Sequence, residues 1–246
     1  FMAIERTSTM KARQREGWLG GMGLALSVLL FMLWPTLDLR VAQAFFDMPS
    51  ATFPANNIPW VHAVYVATPW VGRAAFVLFC LGLLYLKIRP QAQRLGLQRR
   101  LLAWILMAIV GLGVVVDWGL KDNVGRPRPE QLQVFGADKP FVPAFHWSTH
   151  CDVNCSFVSG HAASGFSLMA WGMWAGWQRR QKFLLMGMAA GAAIGAVRVA
   201  QGGHFVSDVV FSGWAVWLTY LLIRYIWLML RLRRLRRLHT QVQSLK

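Results

Sequence analysis

Three short stretches of this chain hold residue types that could handle a phosphate: "KDNVGRPRP" over 121–129, "SGH" over 159–161 and "RVAQGGHFVSD" over 198–208. Between them they carry four cations, Lys121, Arg126, Arg128 and Arg198, and the carboxylates nearby are few, chiefly Asp117, Asp122, Glu130 and Asp208. An anion fits that deficit. Arginine forks grip phosphate oxygens bidentately while lysine acts as a point charge, and backbone N–H groups at a helix start suit the same ligand. Ser159 and Gly160 stand where such a start is expected, the glycine permitting close approach and the serine adding a donor. His204 and Asp208 are four residues apart, so on a helix beginning near Gly203 they share a face. Asp208 could then hold one ring nitrogen as N–H while the other attacks, with His161 as general acid for the leaving alkoxide. Either histidine alone would read as a cap or an interfacial hydrogen-bonder. Their company with four cations and Asp208 favours the chemical reading, whereas His62, His146, His150 and His239 have no such company and are assigned to the surface or the interface.

The elements that must position these residues are membrane spans. Hydrophobic residues make up 56% of the 246, and a crossing takes about 20 largely apolar residues. Six candidates result: 17–37, 68–88, 101–119, 160–177, 183–200 and 208–230. The fold class expected is all-α, a polytopic membrane protein with six transmembrane helices in a bundle. Its formal charge of +16 does not form the continuous basic stripe of a nucleic-acid binder. The basic residues cluster between spans: Lys11, Arg13 and Arg15 before the first; Lys87 to Arg100 between the second and third; Arg179, Arg180 and Lys182 between the fourth and fifth; and Arg231 to Arg237 after the sixth. That asymmetry follows the positive-inside rule. It places both termini in the cytoplasm and segments 38–67, 120–159 and 201–207 outside. The three polar stretches thus fall on one face, although they played no part in assigning the topology. The interval from His161 to Arg198 suits two short crossings and a turn, so the chain returns to the same surface.

Several features remain open at this stage. Lys11 to Arg15, an apolar run and the pair Ala42 and Ala44 mimic a secretory signal, but the run is long for one; it is read as a retained span, with Phe1 ahead of Met2 as a cloning remnant. Cys151 and Cys155 would close a small loop in an oxidising compartment; a zinc site with His146 and His150 is the alternative. Residues 54–67, with Trp60 and Tyr65, are expected to lie in the interface before the second span. The small residues of "AAGAAIGA" (189–196) should let helices approach closely.

At these motifs the sequence resembles the type 2 phosphatidic acid phosphatase superfamily of integral membrane lipid phosphatases. Lys121, six residues, then Arg128-Pro129 matches its first motif; Ser159, Gly160 and His161 match the second; and Arg198, five residues, His204, three residues, Asp208 match the third. Val158 and Val197 stand where the family has proline and serine, which bears on the angle at which span four begins and on one hydroxyl contact. The resemblance implies phosphoester or pyrophosphate hydrolysis without metal or other cofactor, through a phosphohistidine. In that scheme His204 is nucleophile, Asp208 its partner and His161 the acid. Lys121, Arg128, Ser159, Gly160 and Arg198 hold the phosphoryl oxygens, and Arg126, outside the strict pattern, is a further candidate. The implied protein is one membrane-embedded domain over 1–246 in a bacterial inner membrane, with basic cytoplasmic ends at 1–16 and 231–246. Its site is periplasmic and includes 120–159. Its partners are a phospholipid or glycolipid phosphate and the membrane, with no nucleic acid.

The form "CDVNCSFVSGH" is similar to that of bacterial lipid A phosphatases, which favours lipid A 1-phosphate as substrate. Undecaprenyl pyrophosphate and phosphatidylglycerol phosphate belong to sister branches. A lipid-to-lipid phosphotransferase, a vanadate-dependent haloperoxidase and a non-catalytic anion binder or translocator are the other readings.

Overall fold

A computed structural model describes residues 2–89 and 94–244; the side chains of 2–15, 238–239 and 242–244 lie outside the described residues, as do those of Lys11, Arg13, Arg15 and His239 and all of Phe1. The described chain is helical. A long helix α1 (Met2–Leu33) ends ahead of Pro35, and a short outer helix α2 (Leu37–Ala44) follows. Helix α3 (Pro59–Ile88) begins with proline at its first turn, where the missing N–H costs nothing. Helix α4 (Leu95–Leu106) runs without a break into a π-wound stretch (Met107–Lys121). After the long outer segment come α5 (Gly160–Phe166), a 3-10 continuation (Ser167–Gly172), α6 (Trp177–Ala200) and α7 (Val206–Ser244).

Among the described residues, five helices are long and apolar enough to cross a membrane: Glu16–Leu33, Pro59–Ile88, Leu95–Lys121, Trp177–Ala200 and Val206–Arg237. The fourth expected span, 160–177, is instead a broken helix. Seven α-helical residues tighten to 3-10 winding and then turn at 173–176. Its interruption follows its composition, since Gly160, Gly165, Gly172 and Gly176 remove the side chains that would favour one continuous helix. The segment assigned to the interface, 54–67, differs too: from Pro59 onward it is already α3.

Close packing holds the broken span in place. A Cβ on Gly165 would fall 2.8 Å from the Gly191 backbone, and one on Gly191 would meet the Phe166 ring at 2.3 Å. In hydrocarbon such contact substitutes for the missing hydrophobic drive. Around it Met107, Val116, Ala162, Ala163, Met169, Val216 and Tyr220 form the main core. A second cluster lies with the outer segments, where Phe46, Phe53 and Phe135 contact one another edge-on or tilted at 4.8 to 5.3 Å. It joins the residues after α2 to the 3-10 turns following Arg128. At the other end of α6, Arg180, one of the basic cluster between the fourth and fifth expected spans, is buried, ion-paired with Glu16 of α1 and 4.6 Å from the Trp177 ring.

Candidate active site

Helix ends gather the polar residues. Lys121 closes the π-wound stretch of α4, Ser159 caps α5, Arg198 stands in the last turn of α6, and His204 precedes α7, whose first turn holds Asp208. Ser159 Oγ accepts from Ala162 N at 3.4 Å, which leaves its own hydroxyl proton free to donate elsewhere. The Gly160 backbone lies beside Lys121 and Asp117: a Cβ there would stand 3.6 Å from Lys121 Nζ and 3.5 Å from Asp117 Oδ1.

His204 is fixed from behind. Its Nδ1 lies 2.8 Å from the Ser156 carbonyl. A carbonyl only accepts, so Nδ1 carries the proton and Nε2 keeps its lone pair, making no hydrogen bond among the described residues. Asp208 Oδ2 stands 3.6 Å from the same nitrogen, and sequence reasoning had given it the whole orienting task. In the structure that carboxylate supports the loop: Oδ2 accepts from Phe205 N at 2.8 Å and from Ser156 Oγ at 2.5 Å. Burial pushes the His204 ring down to about 4, against the opposing pull of Asp208, and the charges of Arg198 and Arg128 press the same way as burial. The ring is therefore neutral near pH 7.

Behind this loop Arg126 corrects the expectation that it might bind phosphate. It is fully buried, Nη1 on Asp208 Oδ1 at 2.6 Å and on Ser207 Oγ at 2.8 Å, Nη2 on Asp38 Oδ2 at 2.8 Å, and Nε on the Val142 carbonyl at 2.8 Å. The Phe205 ring lies 4.1 Å from its guanidinium. Four of its five N–H donors are taken up by the protein and the side chain is fully buried, which turns it away from a ligand. Asp38, from α2, also takes the Ser207 N–H and hydroxyl. Burial raises the Asp38 carboxyl, an effect that neighbouring Arg126 opposes. Gly125 lets the chain turn in to place Arg126: its φ is +69°, and a Cβ would collide with the Ser148 carbonyl at 1.8 Å.

The other cations face differently. Arg198 is buried, with Nη1 on Gln201 Oε1 at 2.6 Å, yet its Nε has no hydrogen-bond partner among the described residues. A buried guanidinium donor without an acceptor marks a place for one. Gly203 makes that position possible, since a Cβ there would overlap Arg198 Nη2 at 2.0 Å. Arg128 donates to the Asn154 carbonyl at 3.0 Å and stands 3.8 Å from half-exposed Glu130.

Tyr65 is a member that sequence reasoning missed. Its ring lies 5.2 Å from that of His161, stacked, and 4.4 Å from the Arg198 guanidinium. Its carbonyl lies 3.1 Å from His161 Nε2. The reason is local. Pro69, four residues on within α3, has no N–H, so the Tyr65 carbonyl lacks its helical partner and is open to the histidine. That signal is readable in "YVATP".

Cys151 and Cys155 are joined, which leaves no thiolate pair for the zinc alternative. His62 stands 6.3 Å from the Tyr65 ring, and His146 Nδ1 lies 3.1 Å from the Ala144 carbonyl.

The PAP2 superfamily model matches residues 101–233. A lipid A 4'-phosphatase of Francisella tularensis subsp. novicida (strain U112) is 33% identical over 207 residues, covering 79% of this chain and 90% of the relative. Lipid A 4'-phosphatases of Rhizobium etli and Rhizobium leguminosarum are 34% and 36% identical over 116 and 106 residues, each covering 45% of the relative and 47% and 43% of this chain. No solved structure gives a significant match. With its histidines, cations and helix ends in this arrangement and its sequence matched over more than half its length, the chain belongs to the PAP2 superfamily.

Proposed function

We propose that this membrane lipid phosphatase removes a phosphate from lipid A through a covalent intermediate on His204, with the 4'-phosphate favoured over the 1-phosphate. The observation that carries the mechanism is the state of His204: Nδ1–H fixed on the Ser156 carbonyl, and Nε2 unpaired with Arg198 and Arg128 near enough to act on its charge. The Nε2 lone pair attacks phosphorus and the bond from phosphorus to the lipid oxygen breaks. His161, entering the step as the imidazolium with Nε2–H held by the Tyr65 carbonyl and its ring stacked on that of Tyr65, gives its Nδ1 proton to that oxygen. Water then attacks phosphorus, giving its proton to the neutral His161, and the P–N bond breaks to regenerate neutral His204. Lys121, Arg128, Arg198, the Ser159 hydroxyl and the Gly160 backbone hold the three remaining oxygens, whose charge builds in the transition state. No step requires a metal.

The relatives' names support the 4'-position, whereas the sequence form had favoured the 1-position. Basic clusters at the opposite ends of the spans from the site support a bacterial inner membrane location with both termini cytoplasmic and the site periplasmic. Phosphate release from lipid A phosphorylated only at 4' or only at 1, with EDTA present, tests the reading. Release from the 4'-form is expected. Release confined to the 1-form would reverse the positional assignment, and loss of release restored by a divalent metal would overturn the mechanism.

A further inference from the structure

Beside the site lies a cleft of about 1010 Å³ between α3, the π-wound half of α4 and the start of the broken span. One end carries Lys121, Gly160 and His161. Most of the wall is apolar, with Val71, Phe76, Phe79, Ile109, Leu112 and Trp171 among the residues that line it. Arg73 breaks this pattern. It lies within the α3 span, eight residues beyond Tyr65 and therefore about 12 Å further along the helix. It is exposed, with its guanidinium 5.4 Å from the Trp70 ring, and has no hydrogen bond or ion pair among the described residues. No acid occurs in α3, and the one carboxylate lining the cleft, Asp117, stands at the far end beside Lys121.

A cation inside hydrocarbon is costly unless a polar group meets it. Here the wall that holds it is continuous with the groups that surround the reacting phosphate. The side chain is long enough to run along that wall with its head toward the outer face, leaving space for a sugar or glycerol unit between guanidinium and phosphorus. A group covalently tied to the phosphate and carrying an oxygen acceptor at that depth is the acyl linkage of the substrate itself.

We propose that the cleft takes an acyl chain of the lipid substrate and that Arg73 donates to the carbonyl of its ester or amide linkage. This rests on the lipid phosphatase reading and adds to it a determinant of lipid recognition separate from the phosphate cradle. The test is equilibrium binding of radiolabelled lipid A, with its reacting phosphate already removed, to wild type, Arg73→Ala and Arg73→Lys in phosphatidylcholine nanodiscs, with inorganic phosphate binding measured on the same proteins. Loss of one charged hydrogen bond should weaken lipid binding about tenfold in Arg73→Ala, with partial recovery in Arg73→Lys and no change for phosphate. Equal lipid binding by wild type and Arg73→Ala, or none by either, would overturn the proposal. Lipid and phosphate binding weakened together would show a structural role and overturn it as well. Wild-type protein that binds the lipid but releases no phosphate from its phosphorylated form would break the phosphatase reading while leaving this one standing.

Discussion

Arg126 and Arg128 are two residues apart and have opposite surroundings. Arg126 sits between two carboxylates, Asp38 and Asp208, with all three of its nitrogens hydrogen-bonded within the protein. Arg128 has a backbone carbonyl and a distant glutamate, and shares its surface with Lys121 and with Arg198, whose Nε lacks an acceptor. The first arginine is neutralised by the protein; the second group keeps positive charge that the nearby carboxylates do not balance, as the proposed phosphate site requires. Residue type therefore says little about role here, and local charge balance says much.

The variants that press hardest on this contrast are those at His204, the proposed nucleophile. His204→Ala should lower phosphate release by about 10⁴-fold or more with folding intact, as removal of a nucleophile does; release kinetics alongside thermal denaturation in detergent check both halves. Arg126→Ala should act on the other side of the comparison. It strands Asp38 and Asp208 without their cation, and breaking a buried pair costs about 3–5 kcal/mol, so the expected result is a lowered melting temperature and little folded protein. Arg198→Ala should do the reverse, lowering kcat by about 10²- to 10³-fold, as for loss of one transition-state donor, with thermal stability unchanged or raised. If Arg198→Ala unfolds the protein and Arg126→Ala spares it, the distinction between neutralised and waiting arginines fails.

A finer probe concerns Pro69. Alanine there would restore an N–H to compete for the Tyr65 carbonyl, loosening His161 and lowering kcat about tenfold, a modest share of what general acid catalysis contributes. Binding of inorganic phosphate should stay unchanged. The smallest effect is on pH dependence. His204 is held neutral down to about 4, so protonation of the nucleophile should cut kcat/KM only as pH falls through that region, not near 6.5 as for an unperturbed histidine. The same depression means that the unfolded chain takes up a proton the folded one refuses. Stability should therefore decline as pH drops from about 6.5 toward 4, which a denaturation series across pH would register.

Much of this was legible in the sequence because helix ends and local spacing encode it. Lys121, Ser159, Arg198 and His204 could be brought to one face by counting apolar lengths, and His204 with Asp208 by helical periodicity. Asp38 could not be found, since its pairing with Arg126 depends on where a short outer helix lands, and that is fixed by the contacts among Phe46, Phe53 and Phe135 rather than by local pattern. The Ser156 carbonyl was equally hidden, because any backbone group can serve once the chain places it. The fourth span was overread as one helix: its apolar content was correct, but its four glycines, two of them seated against α6, interrupt the winding. Tyr65 is an intermediate case, for the proline four residues later was visible and its consequence for the carbonyl was not drawn.

The most direct test of the central claim is to mix the purified protein with lipid A labelled at its phosphates, quench within a turnover, and look for label bound to protein. The account predicts an acid-labile, alkali-stable phosphoryl group on His204 in the wild-type protein that is absent from His204→Ala. Label found on another residue, or full phosphate release by His204→Ala, would contradict it.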